Sequence, residues 1–500
     1  MKLSDMSSGR FNRRNFLQAA TATSAAALLG GNLTACGSNP GNGSSGGAVT
    51  INYWDYYVSQ APWVDNEIKL FEQAHPNIKV KKTTNASNTY DNLFALAVKS
   101  NTQPDVFLLP ISTPPLNQQV QNGWLLPLDK WADSWKKRFP PQSFIEGSNM
   151  FNGHIYSAPM GGHAPWLQLY VNNNVFKAAG LTNPDGSIKL PKTWDDVTNA
   201  MDIITKKSNG TTYGYGFGNA EGGDLAFSLE MFVRGAGTPG GAYGSDARTG
   251  KYMQGTDRNY QDFINLLLEW KQRGYIYPNS ASIGYEVARA YFERGKFGMI
   301  TTGVWAQPEW TTHKFTDYSL TTLVAPTETP KAYFYYSPGG TLWAASAKTK
   351  HPDEAFAWLD WLYSPEAGKR WAQVYSEDLS IYPQNNDPKQ IKFQPFAQYA
   401  STSPLSLEGP TVTVRNPEAS KVVVNAVKPD ITDVITGIYT GQIKQGDIAS
   451  ALLDLQHRYQ KAQDDGIQQA IQRGVKVKPS DWVFPDWDPT KPYVTKPQSS

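Results

Sequence analysis

The chain has 500 residues, of which 40% are apolar and 18% are charged. This composition is typical of a globular protein, and the length favours two domains over one hydrophobic core. The formal net charge is +2, but the residues after position 35 carry a net charge of −1 and show no stripe of lysine and arginine, which argues against a nucleic-acid-binding protein. The single cysteine, Cys36, excludes an intrachain disulfide and a cysteine-based metal site.

The N-terminal residues have the pattern of an export signal. Arg13 and Arg14 precede an apolar run at residues 19–31, which is too short to span a bilayer as a mature helix but suits a signal peptide. The paired arginines, followed by Asn-Phe-Leu, resemble a twin-arginine export signal. We therefore expect residues 1–35 to be a signal peptide.

The end of this signal predicts a lipid anchor. Residues 33–36 read Leu-Thr-Ala-Cys and resemble a bacterial lipobox, in which the cysteine thiol is lipidated and becomes the new N-terminus. Residues 36–48 are rich in glycine and serine and predict a flexible tether that reaches roughly 18 Å. The expected location is outside the cytoplasm, on the cell membrane through Cys36; the alternative is an ordinary secretory signal cleaved near Ala35.

The segment after the tether alternates strands and helices. Apolar residues at helical spacing and short β-rich runs predict the order β-α-β-α-β, which favours a parallel sheet with helices on its faces. The predicted strands and helices are Val49–Trp54, a helix through Val64, Ile68 and Phe71, Ile78–Val80, Thr89–Lys99 and Pro104–Leu109.

A second unit begins beyond the stretch Tyr156–Leu181. This stretch contains a Gly161-Gly162 break and then an alternating strand, Leu167–Val171, so we interpret it as the first passage between two lobes, with the glycines supplying freedom for bending. The strand at 295–303 is the candidate for the return passage. The predicted boundaries are 49–162 plus 302–340 for lobe 1, 163–301 plus 341–474 for lobe 2, and 475–500 for a tail rich in proline and tryptophan, which is either extended over a lobe or partly disordered.

Motifs for catalysis are absent from the sequence. The histidines lack metal-binding spacing, the glycines at 214, 216 and 218 do not complete a dinucleotide fingerprint, and there is neither a phosphate loop nor a nucleophile elbow. Glu221, Asp224 and Glu230 lie close in sequence, so a carboxylate pair of a carbohydrate-active enzyme stays open as an alternative. The primary expectation is a protein that is not an enzyme and uses no cofactor.

Aromatic and polar residues recur at the predicted strand ends. Ligands of open α/β sheets bind beyond the carboxyl ends of the strands, and a sugar needs both aromatic rings for its C–H faces and acceptors for its hydroxyls. The candidate ligand-binding residues are Trp54, Asp55, Tyr56, Asp105, Trp166, Glu221, Trp305, Tyr336, Gly339, Gly340 and Trp343.

A series of short motifs runs from about Val49 to Tyr459. They are Tyr53-Trp54, Pro104–Val106, Tyr156–Pro159 with Leu169–Asn172, Pro191–Asp195, Phe292–Met299 with Trp305, Gly339-Gly340 before a helix at Pro352, and Ser364–Glu366. In this order and spacing the chain resembles the extracellular solute-binding proteins of ABC importers, specifically the carbohydrate-binding group that includes the maltose-binding protein.

The resemblance implies an α/β fold of two Rossmann-like lobes joined by a hinge of crossing strands, as in periplasmic binding proteins. It also implies a sugar or oligosaccharide held between the lobes, delivery to the permease subunits of an ABC transporter, and a monomer. Trp305 falls where the family places a sugar-stacking tryptophan, and Trp54-Asp55 where it places polar contacts. A metal or polyamine receptor of the same fold is a further alternative, because Tyr335-Tyr336 resembles the twin tyrosines of ferric-binding relatives.

Overall fold

The computed structural model describes residues 47–110 and 114–497. The predicted signal peptide, Cys36 and the tether up to residue 46 lie outside the described residues. The described residues from Ala48 onward form one compact unit. Within the described ranges, no helix has the length and apolar character needed to cross a membrane.

The described residues form strands and helices in alternation along most of the chain. The strands are β1 (Val49–Asp55), β2 (Ile78–Thr84), β3 (Val106–Leu108), β4 (Met150–Phe151), β5 (His154–Ile155), β6 (Leu167–Asn172), β7 (Tyr213–Tyr215), β8 (Phe297–Gly303), β9 (Tyr318–Thr321), β10 (Phe334–Tyr336), β11 (Trp343–Ala345) and β12 (Ser406–Glu408). The helices are α1 (Ala61–Ala74), α2 (Ser87–Lys99), α3 (Leu116–Gln121), α4 (Asp133–Arg138), α5 (Asn173–Ala178), α6 (Trp194–Lys207), α7 (Asp224–Ala236), α8 (Arg258–Gln272), α9 (Tyr285–Glu293), α10 (Ala306–Thr312), α11 (Pro352–Leu362), α12 (Pro365–Gln373), α13 (Gln394–Ser401), α14 (Val412–Arg415), α15 (Ile431–Thr440) and α16 (Ile448–Gln472).

The first lobe is built on a four-stranded sheet of order β11-β3-β1-β2. Strand β1 pairs in parallel with β2 and β3, and β11 closes the sheet in antiparallel fashion. Helix α1 buries Trp63, Val64, Glu67 and Phe71, which lie on one face because of the 3.6-residue period. The predicted β-α-β-α-β order of this segment is confirmed.

The second lobe is built on a sheet of order β7-β8-β6-β9, in which β6 pairs antiparallel with both β8 and β9. Strand β8 is buried along its whole length. Helix α6 starts at the predicted capping box, in which the Thr193 hydroxyl accepts from the Asp196 N–H and the Asp196 carboxylate accepts from the Thr193 N–H. Such a box satisfies two otherwise free N–H groups and so fixes where the helix begins. The predicted fold class, two α/β lobes, is confirmed.

The strand pairings differ from the predicted lobe boundaries. Strand β9, predicted in lobe 1, pairs in the second sheet, and β11, predicted in lobe 2, pairs in the first. Helices α11 and α12, which follow β11, also pack on the first lobe. Strand β8 lies inside the second sheet and is not a return passage. A strand belongs to the sheet that contains its hydrogen-bond partners. The sequence of a strand does not show which strands those partners are, so the predicted lobe boundaries differ from the observed pairings.

The chain passes between the two sheets through three segments: the first crossing at residues 159–166, the second at 322–342 and the third at 402–430. Gly161 and Gly162 in the first crossing pair with residues 379–381: the Gly162 N–H donates to the Leu379 carbonyl at 2.7 Å. A Cβ on Gly162 would lie 2.7 Å from the Ser380 carbonyl oxygen. Glycine is therefore required there for the close approach of two backbones, whereas the sequence predicted a freely bending hinge.

The described part of the C-terminal tail, residues 475–497, packs on the second and third crossings. The Tyr493 N–H donates to the Glu408 carbonyl at 2.8 Å, and the Thr495 hydroxyl accepts from the Thr411 N–H at 2.9 Å. The ring of Trp487 lies edge-on to Tyr335, 4.8 Å between centroids. Of the two predicted forms of the tail, the structure shows the extended one up to residue 497.

Candidate ligand-binding site

Two tryptophans meet at one edge of the second sheet. Trp166 directly precedes β6 and Trp305 follows β8, and because these strands are antiparallel, with Leu167 opposite Gly303, both side chains lie at the same edge. Their rings stack with centroids 6.0 Å apart and planes inclined at 24°. A Cβ on Gly303 would collide with the Trp305 ring, so glycine lets the ring fold back over the end of the strand.

Phe227 completes this cluster, which we call the aromatic patch: Trp166, Phe227 and Trp305. The Phe227 ring lies edge-on to Trp166 at 5.5 Å and packs against Trp305 at 5.7 Å. All three side chains are partly buried, and Trp305 packs against both large hydrophobic clusters of the described residues. Phe227 was missed by the sequence analysis, although its position in the first turn of the helix after β7 could have indicated it.

Two acidic residues lie between the end of β7 and Phe227 in the chain. Glu221 is exposed, and its carboxylate accepts from the Tyr285 N–H at 3.3 Å. Asp224, at the start of α7, is buried and accepts from the Gly218 N–H at 2.9 Å. Burial raises the pKa of Asp224 from 3.8 to about 7. Glu230, the third acid of the carboxylate group noted in the sequence, instead pairs with Arg234 and accepts from the Ala242 N–H.

The predicted site residues of the first lobe mostly have partners inside that lobe. Trp343 is 1% exposed and stacks on Trp63, and Tyr56 is buried against other tyrosines. The Asp105 carboxylate accepts from the Asn52 N–H at 2.9 Å and from the Thr349 hydroxyl at 2.6 Å. Trp343 and Tyr56 are buried and therefore offer no surface to a ligand in this structure. Asp105 is partly exposed, and its carboxylate joins β1 to the segment after β11.

The remaining predicted residues divide between the first-lobe strand end and the crossings. Trp54 is partly buried against the first core and Asp55 is 2% exposed. Tyr336 stacks on His163, with centroids 3.5 Å apart. Gly339 and Gly340 have φ of 88° and 109° and form a turn beside the first crossing. The eleven residues thus do not converge on one place, and only Trp166, Glu221 and Trp305 lie at the edge of the second sheet.

The twin tyrosines point to different surroundings. The Tyr335 hydroxyl donates to the Pro489 carbonyl at 2.7 Å, whereas Tyr336 stacks on His163. Among residues 47–110 and 114–497, no group of three or more histidine, cysteine, aspartate or glutamate side chains is arranged to hold a metal ion.

Buried carboxyl groups make the stability of the protein depend on pH. Burial raises the pKa of Asp55 from 3.8 to about 6, against the opposing effects of the Thr84 hydroxyl and the Lys82 ammonium. Burial also raises the pKa of Asp378 to about 6, and the Tyr399 hydroxyl donates to this carboxyl at 2.6 Å. Between the unfolded and folded pKa values the folded chain binds more protons than the unfolded chain. The free energy of unfolding therefore falls as the pH rises through this window.

Asp55→Asn is expected to reduce this pH dependence. The wild type should lose about 1.5 kcal/mol more than the variant between about pH 5 and pH 8, because the variant has no carboxyl to ionise in the folded state. Urea unfolding of both proteins at the two pH values measures the difference. Asp454→Asn, at an exposed carboxyl on α16 that pairs with Arg458 and is not part of the surroundings of Asp55, is the matched control and should keep the wild-type slope. Equal slopes for Asp55→Asn and the wild type would contradict the assignment.

A family model described as bacterial extracellular solute-binding protein matches residues 47–369. A curated relative, the multiple sugar-binding protein of Streptococcus mutans, is 22% identical over 381 residues, which cover 74% of this chain and 84% of the relative.

Among solved structures, the GacH receptor of Streptomyces glaucescens is similar with a TM-score of 0.61 and 17% identity, covering 84% of this chain and 99% of that one. The maltose/maltodextrin-binding domain MalE from Bdellovibrio bacteriovorus, bound to maltotriose, has a TM-score of 0.58 and 18% identity, covering 85% of this chain and 100% of that one. At these identities the structural similarities show the fold. Since the family model covers more than half of the chain, the family predicted from the sequence is confirmed, and this protein belongs to the bacterial extracellular solute-binding proteins.

Proposed function

We propose that this protein is the sugar-binding receptor of an ABC importer and that the aromatic patch holds the sugar. The observation that carries the proposal is the stacked pair Trp166 and Trp305 at the edge of the second sheet, where Trp305 directly precedes helix α10, which contacts the first lobe at Val58–Gln60. The relative from Streptococcus mutans is named as a multiple sugar-binding protein, and the MalE domain was solved with maltotriose. Both names support a carbohydrate ligand.

The patch and its acids supply the two kinds of contact that a sugar needs. The C–H faces of a pyranose stack on indole rings, and each such contact contributes roughly 0.5–1.5 kcal/mol beyond its buried area. A micromolar ligand requires about 8 kcal/mol, so hydrogen bonds must supply much of the remainder. The exposed Glu221 carboxylate, which follows β7, offers acceptors for hydroxyl groups.

Binding would act through a shift in the population of lobe arrangements. A ligand that touches both lobes favours the arrangement in which they close on it, and the closed form is the one that docks on the permease subunits. Helix α10, which follows Trp305, packs against the turn Val58–Gln60 after β1, so the segment that carries Trp305 already contacts the first lobe. The receptor would act as a monomer, exported by the twin-arginine signal and held at the membrane by a lipid on Cys36.

Trp305→Ala is expected to weaken sugar binding about tenfold or more, because it removes one of the two stacked indoles and leaves the other without support. Calorimetric titration of the purified protein with a panel of mono- and oligosaccharides identifies the ligand and measures its Kd. Trp131→Ala removes a partly buried tryptophan that stacks on Phe356 outside the patch, and it is the matched control, with an unchanged Kd.

Two results would contradict the proposal. If no sugar in the panel binds, the carbohydrate assignment fails. If a sugar binds and Trp305→Ala leaves its Kd unchanged, the patch is not the site. Release of reducing ends from a polysaccharide, in amounts far above the protein concentration, would establish a carbohydrate-active enzyme in place of a receptor.

A further inference from the structure

A cavity of about 350 Å³ lies where the three crossings meet. Its walls include Pro141, Gly162, Pro338, Ser380 and Ser403, so residues of all three crossings line it. None of the three residues of the aromatic patch does. We call it the hinge cavity, and it is separate from the proposed sugar site.

Each crossing contributes at least one polar side chain to this cavity. His163 comes from the first crossing, Tyr336 from the second and Glu408 from the third. The rings of His163 and Tyr336 stack face to face, with centroids 3.5 Å apart and an interplanar angle of 1°. Strands β10 and β12 pair in parallel with Tyr336 opposite Glu408. A change in the angle between the lobes moves the crossings relative to one another and so changes the shape of this group.

The hydrogen-bonding capacity of these side chains is unused. Within the described ranges, the His163 ring, the Tyr336 hydroxyl, the Glu408 carboxylate and the Ser406 hydroxyl form no hydrogen bond to protein. All four side chains are partly exposed, so their polar atoms are open to the cavity and to water. Four such groups around one cavity are available to bind a molecule that enters it.

The donors and acceptors of these four side chains indicate which class of ligand the cavity can bind. Burial lowers the pKa of His163 to about 4, so at neutral pH its imidazole is uncharged and offers one donor and one acceptor. The two hydroxyls offer both functions, and the Glu408 carboxylate offers acceptors only. Such a mixture of donors and acceptors matches the hydroxyl groups of a neutral polyhydroxylated molecule, and a volume of about 350 Å³ is at the small end of ligand pockets.

We propose that the hinge cavity is a second binding site, for a neutral polyhydroxylated molecule of the size of one sugar ring, whose occupation holds the lobes at one relative angle. The ligand bridges side chains from all three crossings, so it binds best to one arrangement of the lobes and favours that arrangement. By thermodynamic linkage it changes the affinity of the main site, and the ligand of the main site changes its affinity by the same factor.

Calorimetric titration with glucose, myo-inositol and sorbitol tests the proposal and separates ring-shaped from linear ligands. The wild type, Trp305→Ala, Glu408→Gln and Tyr336→Phe are titrated side by side. We expect at least one probe to bind Trp305→Ala with a 1:1 stoichiometry and to bind Glu408→Gln and Tyr336→Phe about tenfold more weakly than the wild type, because each variant loses one hydrogen-bonding group and keeps its shape. Glu328→Gln, at an exposed carboxylate of the second crossing, is the matched control with unchanged binding.

Three outcomes overturn the proposal. The hinge site is absent if none of the probes binds. It is also absent if Trp305→Ala abolishes binding while Glu408→Gln leaves it intact, which assigns the probe to the aromatic patch and leaves the proposed function standing. If spermidine binds and none of the neutral probes does, the ligand of the hinge cavity is a cation and the proposal of a neutral ligand is wrong. Circular dichroism of each variant confirms that a loss of binding is not a loss of folding.

Discussion

Replacing Trp343 by alanine is expected to lower the free energy of unfolding by about 3–5 kcal/mol, the usual range for a fully buried tryptophan. The Trp343 ring is 1% exposed and stacks on Trp63 with centroids 5.8 Å apart. It also lies edge-on to Tyr363 at 5.2 Å, and its indole N–H donates to the Tyr53 hydroxyl at 3.0 Å. Alanine leaves a cavity among these rings and an unpaired hydroxyl. Urea unfolding at neutral pH measures the change.

The same substitution separates two roles for this residue. The sequence predicted Trp343 as a ligand contact, whereas its position in the first core predicts an effect on stability with little effect on the Kd for sugar. Trp343→Phe keeps most of the ring contacts and is expected to cost less than Trp343→Ala. If Trp343→Ala changes the stability little and lowers the sugar affinity strongly, Trp343 is a ligand-binding residue and not a core residue.

Arg370→Ala is expected to destabilise the protein by about 3–5 kcal/mol, because it leaves a buried carboxylate without its cation. Glu67, on α1, has a fully buried side chain. Its two oxygens accept from the Arg370 guanidinium on α12, each at 2.6 Å, and one also accepts from the Trp361 indole N–H at 2.9 Å. This network ties α1 to the two helices that the sequence assigned to the other lobe.

A surface arginine and a double variant serve as comparisons for Arg370→Ala. Arg258, whose side chain is 87% exposed and pairs with Asp262 one helical turn away, is the matched surface control, and Arg258→Ala should not change the unfolding midpoint measurably. The double variant Glu67→Met/Arg370→Met removes both charges together and should recover most of the stability lost in Arg370→Ala. If Arg370→Ala unfolds like the wild type, the ion pair does not hold these helices together.

Local structure was predictable where neighbouring residues supply the physical cause. Thr193 and Asp196 cap helix α6 as predicted, since both members of the box lie within one turn of the chain. Helix α12 begins after Ser364, whose side chain accepts from the Ala367 N–H, with Pro365 at the first helical position. The family was predictable as well, because its motifs recur in a fixed order along the chain.

Part of the candidate site was predictable in the same way. Trp166, Trp305 and Glu221 were selected because they stand beside strand ends, and the structure places all three at one edge of the second sheet. That rule could not separate them from Trp343, which also stands at a strand end but faces the core. A side chain at the end of a strand can point to either face of the sheet. A strand of three residues is too short for its pattern of apolar residues to show which face is covered by the core.

By itself, the sequence determined the order of strands and helices in residues 49–109, the capped helix starts, the two-lobe fold class and the family, because each depends on residues near one another in the chain or on their order. Only the tertiary structure decided which sheet β9 and β11 join, that Trp166 stacks on Trp305, and that His163, Tyr336 and Glu408 meet in the hinge cavity. These features depend on hydrogen bonds and packing between segments that are far apart in the chain, which leave no periodic signal in the sequence.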